Sequence, residues 1–226
     1  VSGTLAPQPH ARLSAGVVDL WYLTLDVAPE DRRGLTESLD EAERARWARL
    51  RVGGDRWAVA HGARRQVLAA YLEVSPGRLR FEREALGKPR LAGGVSLQFN
   101  ASSRGGLALL AVANGSELGA DLEREDTASD PDMVAREFLS DLDRAAIAAA
   151  APHERRHAFA LAWARHEALR KLHGTGLGEP LPARRGDLPW VVRNVPAPEG
   201  HAAAIAVRGP RWQVRVREFA ELALAR

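Results

Sequence analysis

The sequence predicts an α+β fold built as two similar lobes, and three observations carry that prediction. Short apolar runs of strand length alternate with two long helical stretches, near 40–73 and 131–174. Residues 105–123, "GGLALLAVANGSELGADLE", echo residues 200–219, "GHAAAIAVRGPRWQVRVREF": an apolar strand, a turn containing glycine, then a second strand. The chain has 226 residues, 46% of them apolar, enough to bury a sizeable core in one domain or two small lobes. On this reading residues 1–16 are a loose tail, 17–110 an N-terminal lobe and 111–226 a C-terminal lobe.

Taken in order, "VVDLWYLTLDV" (17–27) alternates as a strand does. "TESLDEAERARWARLR" (36–51) follows as a helix, with Ser38 as its N-cap and acidic residues in its first turn. Gly53 and Gly54 break it, and a second helix runs from Asp55 to about Glu73. "LRFERE" (79–84) is a short strand leading to the turn "ALGKPRLAGG" (85–94). Strands follow at "SLQFNAS" (96–102), "LALLAVA" (107–113) and "LGADLE" (118–123). Residues 131–174 read as helical, closed by Gly174. "PWVVRNV" (189–195), "HAAAIAVRG" (201–209) and "RWQVRVREF" (211–219) return to strands.

Composition narrows the function. The net charge of +3 is modest, without the clustered basic residues and aromatics of a nucleic-acid surface. With no cysteine there are no disulfides and no thiolate metal sites. The seven histidines lack metal-ligand spacing, so no zinc is expected. No apolar run has membrane-spanning length and the first residues lack a signal-peptide core, so the expectation is a cytoplasmic chain with no membrane partner. Of the 32 basic residues only two are lysines, Lys88 and Lys171. A chain that writes arginine almost everywhere keeps these two for a reason. An ammonium is a compact point charge that can approach one phosphate oxygen or give up a proton.

Chemistry gathers in four stretches. In "GADLE", Asp121 and Glu123 lie two apart on a strand, so both carboxylates share one face while Leu122 points to the core. The pair suits Mg²⁺, which takes one or two carboxylates and completes its shell with water and phosphate oxygens. The other reading is a strand end fading into the acidic loop that follows. In "WARHEALRKLHG", Glu167 and Lys171 are four apart and face the same way. As a surface pair they would contribute only about 0.3–0.5 kcal/mol. Trp163, one turn earlier on that side, and the scarcity of lysine argue for phosphate chemistry instead. "LGKPRL" sets Lys88 and Pro89 in a turn where a lysine is ordinarily solvated. "FNASSRGG" offers Asn100, Ser102, Ser103 and Arg104 at a strand end, as a phosphate cradle or as an ordinary turn.

In order and spacing, "GKP" (87–89), "FNASSRGG" (99–106), "GADLE" (119–123) and "WARHEALRKLHGTGL" (163–177) resemble a 4′-phosphopantetheinyl transferase of the Sfp type. The resemblance implies two α/β lobes related by a pseudo-twofold, in a monomer with the active site between them. It implies transfer of the phosphopantetheine arm of coenzyme A, the co-substrate, to a serine of an apo acyl or peptidyl carrier protein. Asp121, Glu123 and Glu167 would hold Mg²⁺. Glu167 would help deprotonate the serine, and Lys171 would neutralise the phosphate that leaves. Arg46, Lys88, Pro89, Asn100, Ser102, Ser103 and Arg104 would hold the nucleotide end. The chain departs from the family pattern at Ser103 and Arg104, which stand where His-Ser is usual, and at Ala120, Ala164 and His166. The missing histidine leaves an alternative, a catalytically weak relative that binds coenzyme A or a carrier protein.

Overall fold

Strand β1 (Val17–Thr24) lies at the centre of what the chain builds. Its neighbours are the antiparallel β5 (Leu107–Asn114) and, in parallel, β9 (Gln213–Glu218); β4 (Leu97–Arg104) pairs with β5 at the outer edge. A second sheet holds β6 (Leu118–Arg124), β8 (His201–Arg208) and β7 (Trp190–Val195) in the order β6-β8-β7, all antiparallel. A two-stranded ribbon joins β2 (Phe81–Arg83) to β3 (Pro89–Leu91). These elements come from a computed structural model that describes residues 13–84, 87–126, 130–176 and 189–219. Most of the expected tail, and Leu177 of the last quoted motif, lie outside the described residues.

The layering follows from the side-chain alternation. One face of the first sheet, with Trp21, Leu23, Phe99, Leu110 and Val112, packs on helix α3 (Gly54–Leu72) through Val59, Ala63, Val67 and Leu68. The opposite face, with Val18, Leu20, Leu109 and Ala111, meets Leu118, Ala120, Leu122, Ala203 and Ile205 of the second sheet. Helix α6 (Arg155–His173) covers the far side of that sheet through Ala164, Ala168 and Leu172 against Ala204 and Ala206. The result is a helix–sheet–sheet–helix stack with a dry seam between the sheets.

The two echoing segments exchange sheets reciprocally. β5 belongs to the first sheet and the next strand, β6, to the second; β8 belongs to the second and the next, β9, to the first. Buried Asp19 fixes that last crossing, accepting both guanidinium bonds of Arg215, at 2.7 and 2.8 Å, and the Tyr71 hydroxyl.

The helices depart from the sequence reading in three places. Residues 29–51 form two helices, α1 (Pro29–Thr36) and α2 (Glu41–Arg49). Ser38 is not the cap: its hydroxyl donates to Leu35 O, while Asp40 and Glu43 form a capping box on α2. Residues 131–174 are three helices: α4 (Pro131–Phe138), α5 (Asp141–Ala149) and α6. Asp130 and Ser140 each accept from the backbone N–H three residues on, starting α4 and α5. β3 falls inside the stretch expected to be only a turn.

Candidate functional site

The site starts from a glycine. A Cβ at Gly119 would lie 2.0 Å from Ala168 O and 2.3 Å from Leu172 N. Only glycine therefore lets α6 rest on the backbone of β6. That contact carries Glu167 and Lys171, one helical turn apart, to the edge of β6 where Asp121 and Glu123 project. Lys171 Nζ donates to Asp121 Oδ1 at 2.6 Å. The two motifs therefore meet, which neither spacing by itself required. Both strand carboxylates are nevertheless buried, at 3% and 4% exposure, because β4 and α6 cover that face.

β4 supplies the second wall. Ser102 Oγ donates to Asp121 Oδ1 at 2.8 Å. Two residues along, Arg104 closes a fork on Glu123, with Nε to Oε2 at 2.8 Å and Nη2 to Oε1 at 2.5 Å. Asn100 Oδ1 accepts from Ala120 N–H at 2.9 Å, which holds β4 against β6 although the two strands belong to different sheets. Two buried carboxylate oxygens, Asp121 Oδ2 and Glu167 Oε1, have no hydrogen-bond partner among the described residues. Burial raises the pKa of Glu123 and of Glu167, and the negative charge of Asp121 adds to both. Buried, unpaired carboxylate oxygens beside raised carboxyl groups are the chemistry a hard cation relieves, so the residues fit Mg²⁺. Among the described residues, no group of three or more Asp, Glu or His side chains is already gathered closely enough to hold a metal ion.

From Ser102 a cavity leads away between β4 and α3, lined by Asn100, Ser102, Ser103, His61, Arg64 and Pro89. His61, Arg64 and Pro89 also line a larger cavity of about 510 Å³, with Arg46, Arg49, Trp57 and Arg83 on its walls. Its acidic residues are already engaged: Glu43 takes Arg64 and Arg65, and Asp40 takes Arg65. The free balance is cationic. Arg46 sits 5.4 Å from the Trp57 ring centre, and His61 stacks on that indole at 3.8 Å. Burial, with Arg64 adding to it, lowers the His61 pKa to about 3, so its ring is neutral. Its Nδ1 lies 2.9 Å from Trp57 O and must donate there, which leaves Nε2 an acceptor. Anion contacts in this cavity therefore fall to the arginines.

The structure thus brings together Asp121, Glu123, Glu167, Lys171, Ser102 and Arg104. It strings Ser103, Asn100, Pro89 and Arg46 along the adjoining cavities. Lys88 stands apart: its Nζ donates to Leu118 O at 3.0 Å, burial lowers its pKa, and it lines neither cavity. His61, Arg64 and Arg83 were not singled out from sequence. For His61 and Arg64 the one advance signal was the run of basic residues on α3, which a surface helix would also show; Arg83, on β2, had none.

Cavities that carry arginines, joined through Ser102 to a cluster of buried carboxylates and a lysine, have the chemistry to suit a phosphorylated substrate and a cation. Comparison with known proteins sharpens that class. Residues 117–219, which include Asp121, Glu123, Glu167 and Lys171, match the 4′-phosphopantetheinyl transferase superfamily. Over 225 aligned residues the chain is 28% identical to "4′-phosphopantetheinyl transferase HetI" of Nostoc sp., covering 92% of this chain and 95% of that protein. Both findings are likenesses to that superfamily, and the α+β fold is consistent with it. No helix among the described residues is long and apolar enough to cross a membrane.

Proposed function

We propose that the protein moves the 4′-phosphopantetheine arm of coenzyme A onto a serine hydroxyl of an apo acyl or peptidyl carrier protein and releases 3′,5′-ADP. The observation that carries this reading is the pair of buried oxygens, Asp121 Oδ2 and Glu167 Oε1, without a hydrogen-bond partner among the described residues, in a cluster with Lys171 that Ser102 joins to the cavities carrying arginines. The arginines suit the phosphorylated nucleotide end of coenzyme A, and Ser102 links the cavity to Asp121. Mg²⁺, held on the carboxylates, would draw charge from the diphosphate oxygens.

The reaction asks little covalent chemistry of the protein. The serine oxygen bonds to the phosphorus that carries pantetheine, and the bond from that phosphorus to the oxygen retained by 3′,5′-ADP breaks. Glu167, with its raised pKa, takes the serine proton directly or through water. Lys171 faces the charge that develops on the departing phosphate. Positioning and charge stabilisation supply the rate, which explains why the groups sit on a strand and a helix locked together at Gly119. Family likeness supports a carrier protein as the acceptor. Incubation with coenzyme A, Mg²⁺ and an apo-carrier protein tests the reading: the carrier should gain the mass of one arm, and Asp121→Ala should remove the gain. No mass gain with any class of carrier would remove the function.

A further inference from the structure

Three carboxylates are expected on the cation, yet they are not in equivalent situations. On β4, Ser102 and Arg104 are two apart and share a face; opposite them on β6 stand Asp121 and Glu123. The hydroxyl of Ser102 and the ammonium of Lys171 both use Asp121 Oδ1, and Oδ2 has no partner among the described residues. The guanidinium of Arg104 instead takes both oxygens of Glu123, at 2.8 and 2.5 Å. A planar fork on a carboxylate is the strongest of the side-chain ion pairs, and it occupies both oxygens of the group. The Glu123 side chain is 5% exposed and that of Arg104 44%. Arg104 is therefore a lid with its outer face in water. Freeing Glu123 would strand a buried carboxylate until a cation replaced the guanidinium.

We propose that Arg104 holds Glu123 out of the cation site, and that the protein grips its divalent cation through Asp121 and Glu167 alone. Two carboxylates are within what Mg²⁺ takes, the remaining positions going to water and phosphate oxygens. Glu123 then serves as the buried counter-charge that fixes Arg104 at the mouth of the site. The proposal rests on the reading that this site takes a divalent cation for phosphopantetheine transfer.

Manganese tests it without turnover. Mn²⁺ is titrated into the full chain, and free Mn²⁺ is read by its electron spin resonance, for the wild type, Glu123→Gln, Glu167→Gln and Arg104→Ser. Glu167→Gln should weaken binding by at least about tenfold, and Glu123→Gln by less than about threefold. Arg104→Ser should tighten binding by about threefold or more, because it releases a third carboxylate. The Arg104 side chain is partly exposed, so that variant keeps the test decisive should Glu123→Gln fail to fold. Equal losses in Glu123→Gln and Glu167→Gln, no tightening in Arg104→Ser, or no Mn²⁺ binding by the wild type would each overturn the proposal. Transfer is scored separately by carrier mass. A wild type that transfers, but whose Mn²⁺ affinity depends on Glu123, sinks this proposal and leaves the function standing. A wild type that binds Mn²⁺ as described yet transfers nothing does the reverse.

Discussion

Replacing Gly119 by alanine adds one methyl group at the contact that assembles the site. The new Cβ would stand 2.0 Å from Ala168 O, where ordinary contact begins at 3.4 Å, so helix and strand must part by roughly 1.4 Å along that line (3.4 − 2.0). The obstacle is backbone on both sides, which no rotamer change relieves. Overpacking of this kind costs about 1–3 kcal/mol, occasionally more. Glu167 and Lys171 ride on α6 and would move with it, away from Asp121 on β6. Misplacement of about 1 Å can cost on the order of 10²-fold in rate. Gly119→Ala should therefore remain folded with a lowered denaturant midpoint, and should transfer at about a hundredth of the wild-type rate or less. Carrier mass against time and chemical denaturation on the same preparation measure both. An alanine variant of wild-type stability and near wild-type rate would show that the site does not depend on the close approach of α6 to β6.

Three further outcomes follow from the same geometry. Asp121→Ala should cut transfer to below about a thousandth; melting should stay close to wild type, since Ser102 and half-buried Lys171 can turn to water. A variant within a few-fold of wild type at saturating Mg²⁺ would take Asp121 out of the site. Lys171→Arg should lose about two orders of magnitude in kcat with the KM for coenzyme A nearly unchanged, because a broad fork must replace an ammonium 2.6 Å from Asp121 Oδ1. A near wild-type kcat would mean that any cation serves. For His61 the folded pKa, about 3, lies below the ordinary 6.5, so the unfolded chain binds the extra proton between those values and stability falls as pH drops through them. This group should cost about 2 kcal/mol of stability at pH 5 relative to neutral pH, a loss His61→Asn should remove. An unchanged acid slope in the variant would refute a buried neutral ring.

Where the backbone pattern carries the signal, the sequence was legible. The apolar runs at 107–113 and 201–209 are strands buried on both faces; the spacings put Asp121 with Glu123 and Glu167 with Lys171 on one face each, whereas the meeting of the two pairs was implied only by the family resemblance. Caps were harder: Ser38 and Asp40 are both capping types, and only the reach of Glu43 back to Asp40 N decides for Asp40. Ser140 was read through because the alanines after it sustain a helical composition, although its hydroxyl starts a new helix. The arginines were least legible. Arg64 and Arg104 look alike in a chain that uses arginine for almost every cation, and their roles depend on cross-element neighbours. Arg64 packs against both the Phe81 and Phe99 rings, and Arg104 meets a carboxylate on a strand of the other sheet. Lys88 shows the converse: scarcity marked it correctly as unusual, but its partner is the Leu118 carbonyl.

The central claim is group transfer from coenzyme A, and its most direct measurement counts both products of one reaction. Purified chain, coenzyme A, Mg²⁺ and an apo-carrier protein are incubated; intact mass gives the modified carrier, and chromatography gives 3′,5′-ADP. The account predicts that each carrier molecule gains one phosphopantetheine arm, that 3′,5′-ADP appears in equal amount, and that chelation of the metal stops both. Folded protein that leaves fatty-acid, polyketide and peptidyl carriers all unmodified, with coenzyme A intact, would contradict it.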